Sequence, residues 1–344
     1  VNITKIHLSD FRNFSKKSLE FSPKITVIVG PNASGKTNIL ESLFLLSTGK
    51  SFKAKLEVEM IRYDQQIAKV KGDNLEVMVT KGDNGWPRKR LLLNGVPKRM
   101  IDFAGNFKAV LFGPWDMDLV TESPSIRRKF LDNVLSQVDR EYRRSVLSYE
   151  KGLRQRNRLL FRIREEGVPR SQLLFWNQLL IKNGNYITQK REEFIEYVNS
   201  RPSLNDQKFR LEFDKSVISE GRLEQYANEE IGAATTLVGP HRDDLIFFEK
   251  ERKLASYGSR GEQRMGILWV KMSELNFIED KTGERPTLLL DDIFSELDHE
   301  HRDVVMDLSK KQQTIITTAD EHFVKGGFDG KIELWQKQMQ KKGN

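Results

Sequence analysis

Gly30-Pro31-Asn32-Ala33-Ser34-Gly35-Lys36-Thr37 has the spacing G-x-x-x-x-G-K-[ST] of a phosphate-binding loop. In front of it, Ile25-Thr26-Val27-Ile28-Val29 is a short β-branched run and predicts a buried strand. Behind it, Asn38-Ile39-Leu40-Glu41-Ser42-Leu43-Phe44-Leu45-Leu46 places apolar residues at helical spacing. Strand, loop and helix are the context this loop needs. Gly30 and Gly35 are expected to take positive φ and turn backbone N–H groups inward. The helix start adds partial positive charge where phosphates would lie. Lys36 is expected to bridge the β- and γ-phosphates of ATP, and the Thr37 hydroxyl to hold Mg²⁺. Pro31, Asn32, Ala33, Ser34 and Asn38 complete the candidate cofactor-binding segment.

Outward from the loop, Thr287-Leu288-Leu289-Leu290-Asp291-Asp292 is an apolar strand that ends in two carboxylates. By position Asp291 is the Mg²⁺ acid. Asp292 is the candidate base for the attacking water, and Lys36 is the other candidate catalytic residue. Around this strand the pattern alternates, with a helix over about 260–280, a helix after Asp298 and a strand over 314–317. With the strand over 25–29 this predicts an α/β nucleotide-binding domain whose halves lie far apart in the chain. Strands are also expected over 3–8, 18–21 and 108–112. Alternating runs within 67–93, closed by Asn94-Gly95, predict an antiparallel sheet beside the nucleotide site.

The chain has 344 residues, room for two domains or for one with a large insertion. It has no cysteine, which removes disulfides and thiolate metal sites and suits a reducing cytosol. No apolar run approaches the ~18 residues of a membrane span and no secretory leader is visible, so a cytoplasmic protein without a membrane partner is expected. The five histidines form no metal-ligand cluster, and no Ser-His-Asp or Cys-His arrangement is present.

Net charge is +8, and residues 124–201 alone carry an excess of Lys and Arg equal to that total. The remainder is balanced. This middle segment reads as helical throughout, with a break at Gly167-Val168-Pro169. At ~100° per residue, Arg140, Arg143, Arg144, Lys151, Arg154, Arg158 and Arg162 fall within about ±60° of one direction. Tyr142, Val146, Tyr149, Leu153, Leu160 and Ile163 lie opposite. Leu147 and Phe161 interrupt the basic side, and Arg156 sits on the apolar side. A charged helix face is commonly just solvated. A stripe of cations without an acid at these positions predicts binding to the phosphate backbone of DNA.

Tyr257-Gly258-Ser259-Arg260-Gly261-Glu262-Gln263-Arg264 resembles the signature motif of ABC-type ATPases, with Ser259, Gly261 and Glu262 in the Ser, second Gly and Gln places. In that family the motif opens a helix that meets the γ-phosphate held by the partner subunit. Ser295-Glu296-Leu297-Asp298 resembles the D-loop that crosses the same interface. Two parts of the set depart from the pattern. No Q-loop glutamine follows the strand over 108–112, and in place of a switch histidine stand Thr318 or Asp320, with His322 late. The departure suits a slow timer better than a motor.

Asp10-Phe11-Arg12-Asn13-Phe14, the loop with Asn38–Glu41, Lys50-Ser51-Phe52, Ser123–Asp132, Leu153–Asn157 and Val238-Gly239-Pro240-His241-Arg242-Asp243-Asp244-Leu245 together resemble the RecF family of bacterial recombination proteins, over nearly the full length. The resemblance implies an ABC-type P-loop ATPase head related to SMC heads, with a mixed β core, flanking helices, an antiparallel β subdomain and a helical second lobe. The head would comprise 1–122 and 206–344, and the basic lobe 123–205. It further implies an ATP-dependent homodimer, binding to single- and double-stranded DNA, and weak DNA-stimulated ATP hydrolysis. The implied role is recombinational repair, helping RecA load on SSB-coated single strands with RecO and RecR as partners. Arg12 would lie near the nucleotide.

Three other classes share parts of this pattern. An ABC transport ATPase shares the loop and signature but carries the Q-loop glutamine and switch histidine. A chromosome tether needs a long coiled coil, whereas the longest helix here reaches only about 40 Å. A scaffold that binds nucleotide without hydrolysis remains if Asp292 is not a base.

Overall fold

The computed structural model describes residues 2–82, 86–204, 207–295, 297, 299–320, 322 and 329–334. The chain forms two compact units, Val1–Pro114 with Ile278–Asn344, and Trp115–Phe277.

The first unit is built on a five-stranded parallel sheet of order β14-β3-β13-β12-β8. Its strands are β3 (Ile25–Val29), β8 (Ala109–Phe112), β12 (Thr287–Asp291), β13 (Thr314–Thr318) and β14 (Gly330–Glu333). β8, β12 and β13 are buried along their whole length, as continuous apolar runs in a parallel sheet must be. The split in the sequence is therefore closed by pairing: Ile316 of β13 sits in register with Val27 of β3 and with Leu290 of β12. β14 was not expected. It is short, alternates Lys and Glu with small and apolar residues, and exists only as an edge partner of β3.

A six-stranded antiparallel sheet, order β2-β1-β4-β5-β6-β7, forms the second layer. It comprises β1 (Lys5–Phe11), β2 (Phe14–Glu20), β4 (Ile67–Gly72), β5 (Leu75–Lys81), β6 (Pro87–Leu93) and β7 (Val96–Lys98). Asn94 and Gly95 both take positive φ, 53° and 76°, as a two-residue hairpin between β6 and β7 requires. Helix α1 (Lys36–Thr48) packs on strands of both sheets, so from Ile39 onward it is buried on all sides, Glu41 included. α2 (Met100–Phe103) and α11 (His299–Ser309) complete the unit.

The second unit carries α3 (Asp118–Thr121), α4 (Pro124–Val138), α5 (Arg140–Glu166), α6 (Leu173–Asn199), α7 (Glu220–Gln225), α8 (Ala227–Ala233), α9 (Leu254–Tyr257) and most of α10 (Arg260–Thr282). A small sheet, β11 (Arg252–Lys253), β10 (Asp244–Glu249) and β9 (Phe209–Asp214), lies among them. α5 and α6 form an antiparallel hairpin. Asp139 caps α5 by accepting from the N–H groups of Glu141 and Tyr142, and Gly167 ends it at φ 69°. Where Gly152 of α5 crosses α6, a Cβ would meet Leu179 at 2.5 Å, so glycine sets the closeness of the two helices.

Candidate nucleotide site and basic helix face

The loop between β3 and α1 has the expected shape, with one correction. Its positive-φ residues are Ala33 and Gly35, at 65° and 102°. Gly30 is required for space instead: a Cβ there would lie 2.6 Å from the Leu334 carbonyl and 2.7 Å from Ser34 Oγ. The loop is braced from outside, since the Asn13 amide donates to Ser34 O at 3.1 Å.

Lys36 folds back over the loop and donates to Gly30 O at 2.6 Å and Pro31 O at 3.0 Å. Burial lowers its pKa from the ordinary lysine value, and the carboxylates of Asp292 and Asp291 oppose that shift. Thr37 Oγ1 donates to Asp291 Oδ2 at 2.7 Å, and Thr317 Oγ1 of β13 donates to Asp291 Oδ1 at 2.6 Å. Asp292 takes φ 48°, held there by its N–H donating to Thr317 O at 3.1 Å. Such backbone strain persists only where neighbours enforce it.

Lys36, Thr37, Asp291 and Asp292, with Asn13, Asn32, Ala33, Gly35, Asn38 and Lys53, line one cleft of about 410 Å³. The donor set fits a nucleoside triphosphate. Ile39 is the first residue of α1 whose N–H reaches a helical carbonyl, Gly35 O at 3.1 Å. The N–H groups before it, at a helix start and beside a lysine, are the ones an anion takes. The Thr37 hydroxyl against the Asp291 carboxylate is the oxygen-only pair that suits Mg²⁺.

Arg12 does not line this cleft. Its guanidinium makes a two-pronged ion pair with Glu41, at 2.8 and 2.6 Å, and donates to Glu59 O at 2.6 Å. The pair neutralises the one carboxylate inside α1. Lys53 and Asn13 are the lining residues that sequence reasoning missed. Lys53 Nζ donates to Asn38 Oδ1 at 3.0 Å, and Asn38 donates on to Asn13 at 2.9 Å. Asn13 sits in the Asp10–Phe14 stretch, noticed without a role of its own, and Lys53 follows directly on Lys50-Ser51-Phe52.

Ser259 stands at the start of α10 in a capping box. Its N–H donates to Glu262 Oε2 at 2.7 Å, and its Oγ accepts from the Glu262 N–H at 3.2 Å. The Ser259 N–H, more than any other group, holds the Glu262 carboxyl below its ordinary pKa. Ser259, Arg260 and Gly261 are exposed, so this helix start is open to solvent. At the Q-loop position, Asp116 follows β8 in a 3-10 turn (Pro114–Met117) and pairs with buried Lys271 of α10 at 3.2 Å. Thr318, Asp320 and His322 bond to one another in a local turn and do not line the cleft. Of the D-loop stretch, Glu296 and Asp298 lie outside the described residues.

On α5 the stripe faces outward. Arg140, Arg144, Lys151, Arg154, Arg158 and Arg162 are exposed and Arg143 is half-buried. Arg144 pairs with Glu141 and Arg162 with Glu166. Lys151, Arg154 and Arg158 have no ion pair among the described residues. Arg156, on the other side, is 1% exposed and bonds to Glu230, Thr236 and Asn177. The Val238–Leu245 run supplies the matching polar core. Arg191 of α6 bonds to Asp132, to Asp243 and to Pro240 O. His241 is held between Tyr149 and Thr236 O, and burial pushes its pKa down to about 4.

Residues 2–100 match the family model described as RecF/RecN/SMC N terminal domain. A protein named DNA replication and repair protein RecF, from Lachnoclostridium phytofermentans, is 35% identical over 338 residues, covering 94% of each chain. A solved structure described as the recombination mediator protein RecF-ATP in the RecFOR pathway superposes with TM-score 0.87 at 30% identity, over 96% of this chain and 95% of that one. The Smc head domain from Pyrococcus furiosus shares the fold at TM-score 0.51 and 18% identity, over 96% of this chain and 92% of that one. By these likenesses, running nearly end to end, the chain belongs to the RecF family.

Proposed function

We propose that the chain is an ATP-operated DNA-binding switch of recombinational repair. The observation that carries this reading is the Lys36–Thr37–Asp291 arrangement beside strained Asp292. Lys36, released from Gly30 O and Pro31 O, binds phosphate oxygens. Thr37 and Asp291 hold the Mg²⁺, which neutralises phosphate charge when bound. Asp292 takes the proton of the attacking water. Arg12 acts on this site through Glu41 and α1 in the state described.

Ser259, Gly261 and Glu262 form the helix start that a second copy presents to the phosphates of the first. Its exposure supports a contact made between copies. ATP then joins two heads, and slow hydrolysis separates them. The α5 stripe, Arg140 to Arg162, lies on the phosphate backbone of single- or double-stranded DNA. The reading keeps 1–122 and 206–344 as the ATPase head and 123–205 as the lobe, a division by role rather than by compactness. RecO and RecR are the partners, in keeping with the RecFOR pathway named for the solved relative, and RecA loading on SSB-coated strands is the outcome. The reading places the protein in the cytoplasm; among the described residues no helix is long and apolar enough to cross a membrane.

The test is DNA binding by the whole chain with ATP, with ADP and without nucleotide, beside Lys36→Met. ATP should tighten binding and the variant should lose that gain. A variant that keeps an ATP-dependent gain would overturn the reading.

A further inference from the structure

The outward face of the six-stranded antiparallel sheet gathers cations that the sequence scatters. Cross-strand partners share a face, so register decides which side chains lie together. One row runs Lys16, Ser9, Lys69, Met78 and Arg90 across β2, β1, β4, β5 and β6. The adjacent rows add Arg88, opposite Thr80 and Ile67, and Lys71, opposite Glu76. Lys16, Lys69, Lys71, Arg88 and Arg90 are exposed, and none has an ion pair among the described residues. Lys5 on the same face is neutralised by Glu20 at 2.9 Å, leaving Glu76 as the one acid among them. The alternate residues Ala68, Val70, Val77 and Val79 point into the core, and Lys89 turns the other way to Glu57.

We infer that this sheet face is a docking surface for a nucleic-acid backbone, separate from the α5 stripe. Strands lie ~4.8 Å apart, so Lys16, Lys69 and Arg90 recur about every 10 Å over roughly 19 Å. Along β4 and β6 the paired cations stand ~6.8 Å apart. Such a grid spans about five phosphates of one strand at ~3.4 Å of axis each. A protein partner would need an apolar centre and few lysines. Here Ile67, Met78 and Leu92 interrupt the charge, and Trp86, 79% exposed, stands at one end of the grid just before β6. A flat, polar and positive face is what a phosphate backbone takes.

The inference rests on the reading that this protein binds nucleic acid, and the experiment separates the two. Binding of the full chain to a labelled gapped duplex is measured against salt for wild type, Lys69→Ala/Arg90→Ala, Arg154→Ala/Arg158→Ala and Lys24→Ala/Lys310→Ala. Thermal melting checks folding. The sheet-face variant should bind about tenfold more weakly, with its log–log salt slope smaller by about 2. Lys69→Arg/Arg90→Lys should bind as wild type does, and so should the Lys24/Lys310 control. Unchanged affinity and slope in the sheet-face variant, with the α5 variant weakened, would overturn this inference and leave the stripe. The reverse pattern would uphold it and remove the stripe from the proposed function. Wild type that ignores the duplex, but binds polyglutamate through Lys69 and Arg90, would overturn both.

Discussion

The phosphate loop and the α5 stripe are both cationic, and they differ in whether the cations have partners. At the loop, Lys36 is satisfied by Gly30 O and Pro31 O, and Thr37 by Asp291. On α5, Lys151, Arg154 and Arg158 face solvent with no ion pair among the described residues. A site for a small, highly charged ligand is shaped in advance by internal bonds that the ligand then replaces. A surface for a long polyanion needs only spacing. The same helix shows the third possibility, since buried Arg156 is paired with Glu230 and serves the fold alone.

The sharpest way to break this distinction is to delete a paired cation from the interior. Arg191→Ala strands Asp243, which is fully buried, and should cost about 3–5 kcal/mol in urea unfolding. Arg154→Ala should stay within about 0.5 kcal/mol. Near-equal losses would erase the contrast between buried and open cations.

Acid should find the same interior. His241 is neutral when folded down to about pH 4, whereas an unfolded histidine gains its proton near pH 6.5. Between those values the unfolded chain binds the extra proton, so stability falls as pH falls, by up to about 3 kcal/mol across the window. Unfolding of wild type and His241→Gln from pH 4 to 7 checks this, and the variant's stability should be flatter over the window.

Lys36→Met should weaken ATP binding about a hundredfold, the loss of one or two charge-assisted hydrogen bonds. Fluorescent-nucleotide titration reads it. The smallest effect belongs to the stripe: Arg154→Ala/Arg158→Ala should leave nucleotide affinity and stability unchanged and lower the salt slope of DNA binding by about 2.

What was legible in the sequence follows the range of the interaction. The strand over 25–29 falls at its expected bounds and the helix Arg140–Glu166 stops at the expected break, because periodicity and Gly167 are local signals. Asp291 and Asp292 were legible because a strand ending carries them to the loop. β14 was not, since Gly330–Glu333 is a strand only beside β3, some three hundred residues earlier. The role of Gly30 was misjudged for the same reason: the atom that excludes a Cβ belongs to Leu334. Lys53 reaches the cleft through Asn38, a contact no spacing rule describes. The sheet-face cations were hidden because only cross-strand register, which no local pattern states, brings Lys16, Lys69 and Arg90 into one row.

The most direct measurement is the mass of the protein in solution by light scattering, with a non-hydrolysable ATP analogue and Mg²⁺, with ADP, and with neither. The expected result is a shift from 40.0 kDa toward twice that value with the analogue alone, abolished by Lys36→Met and by Ser259→Arg. A chain that binds the analogue tightly yet stays at 40.0 kDa at every concentration, with DNA present, would contradict a switch closed by nucleotide between two copies.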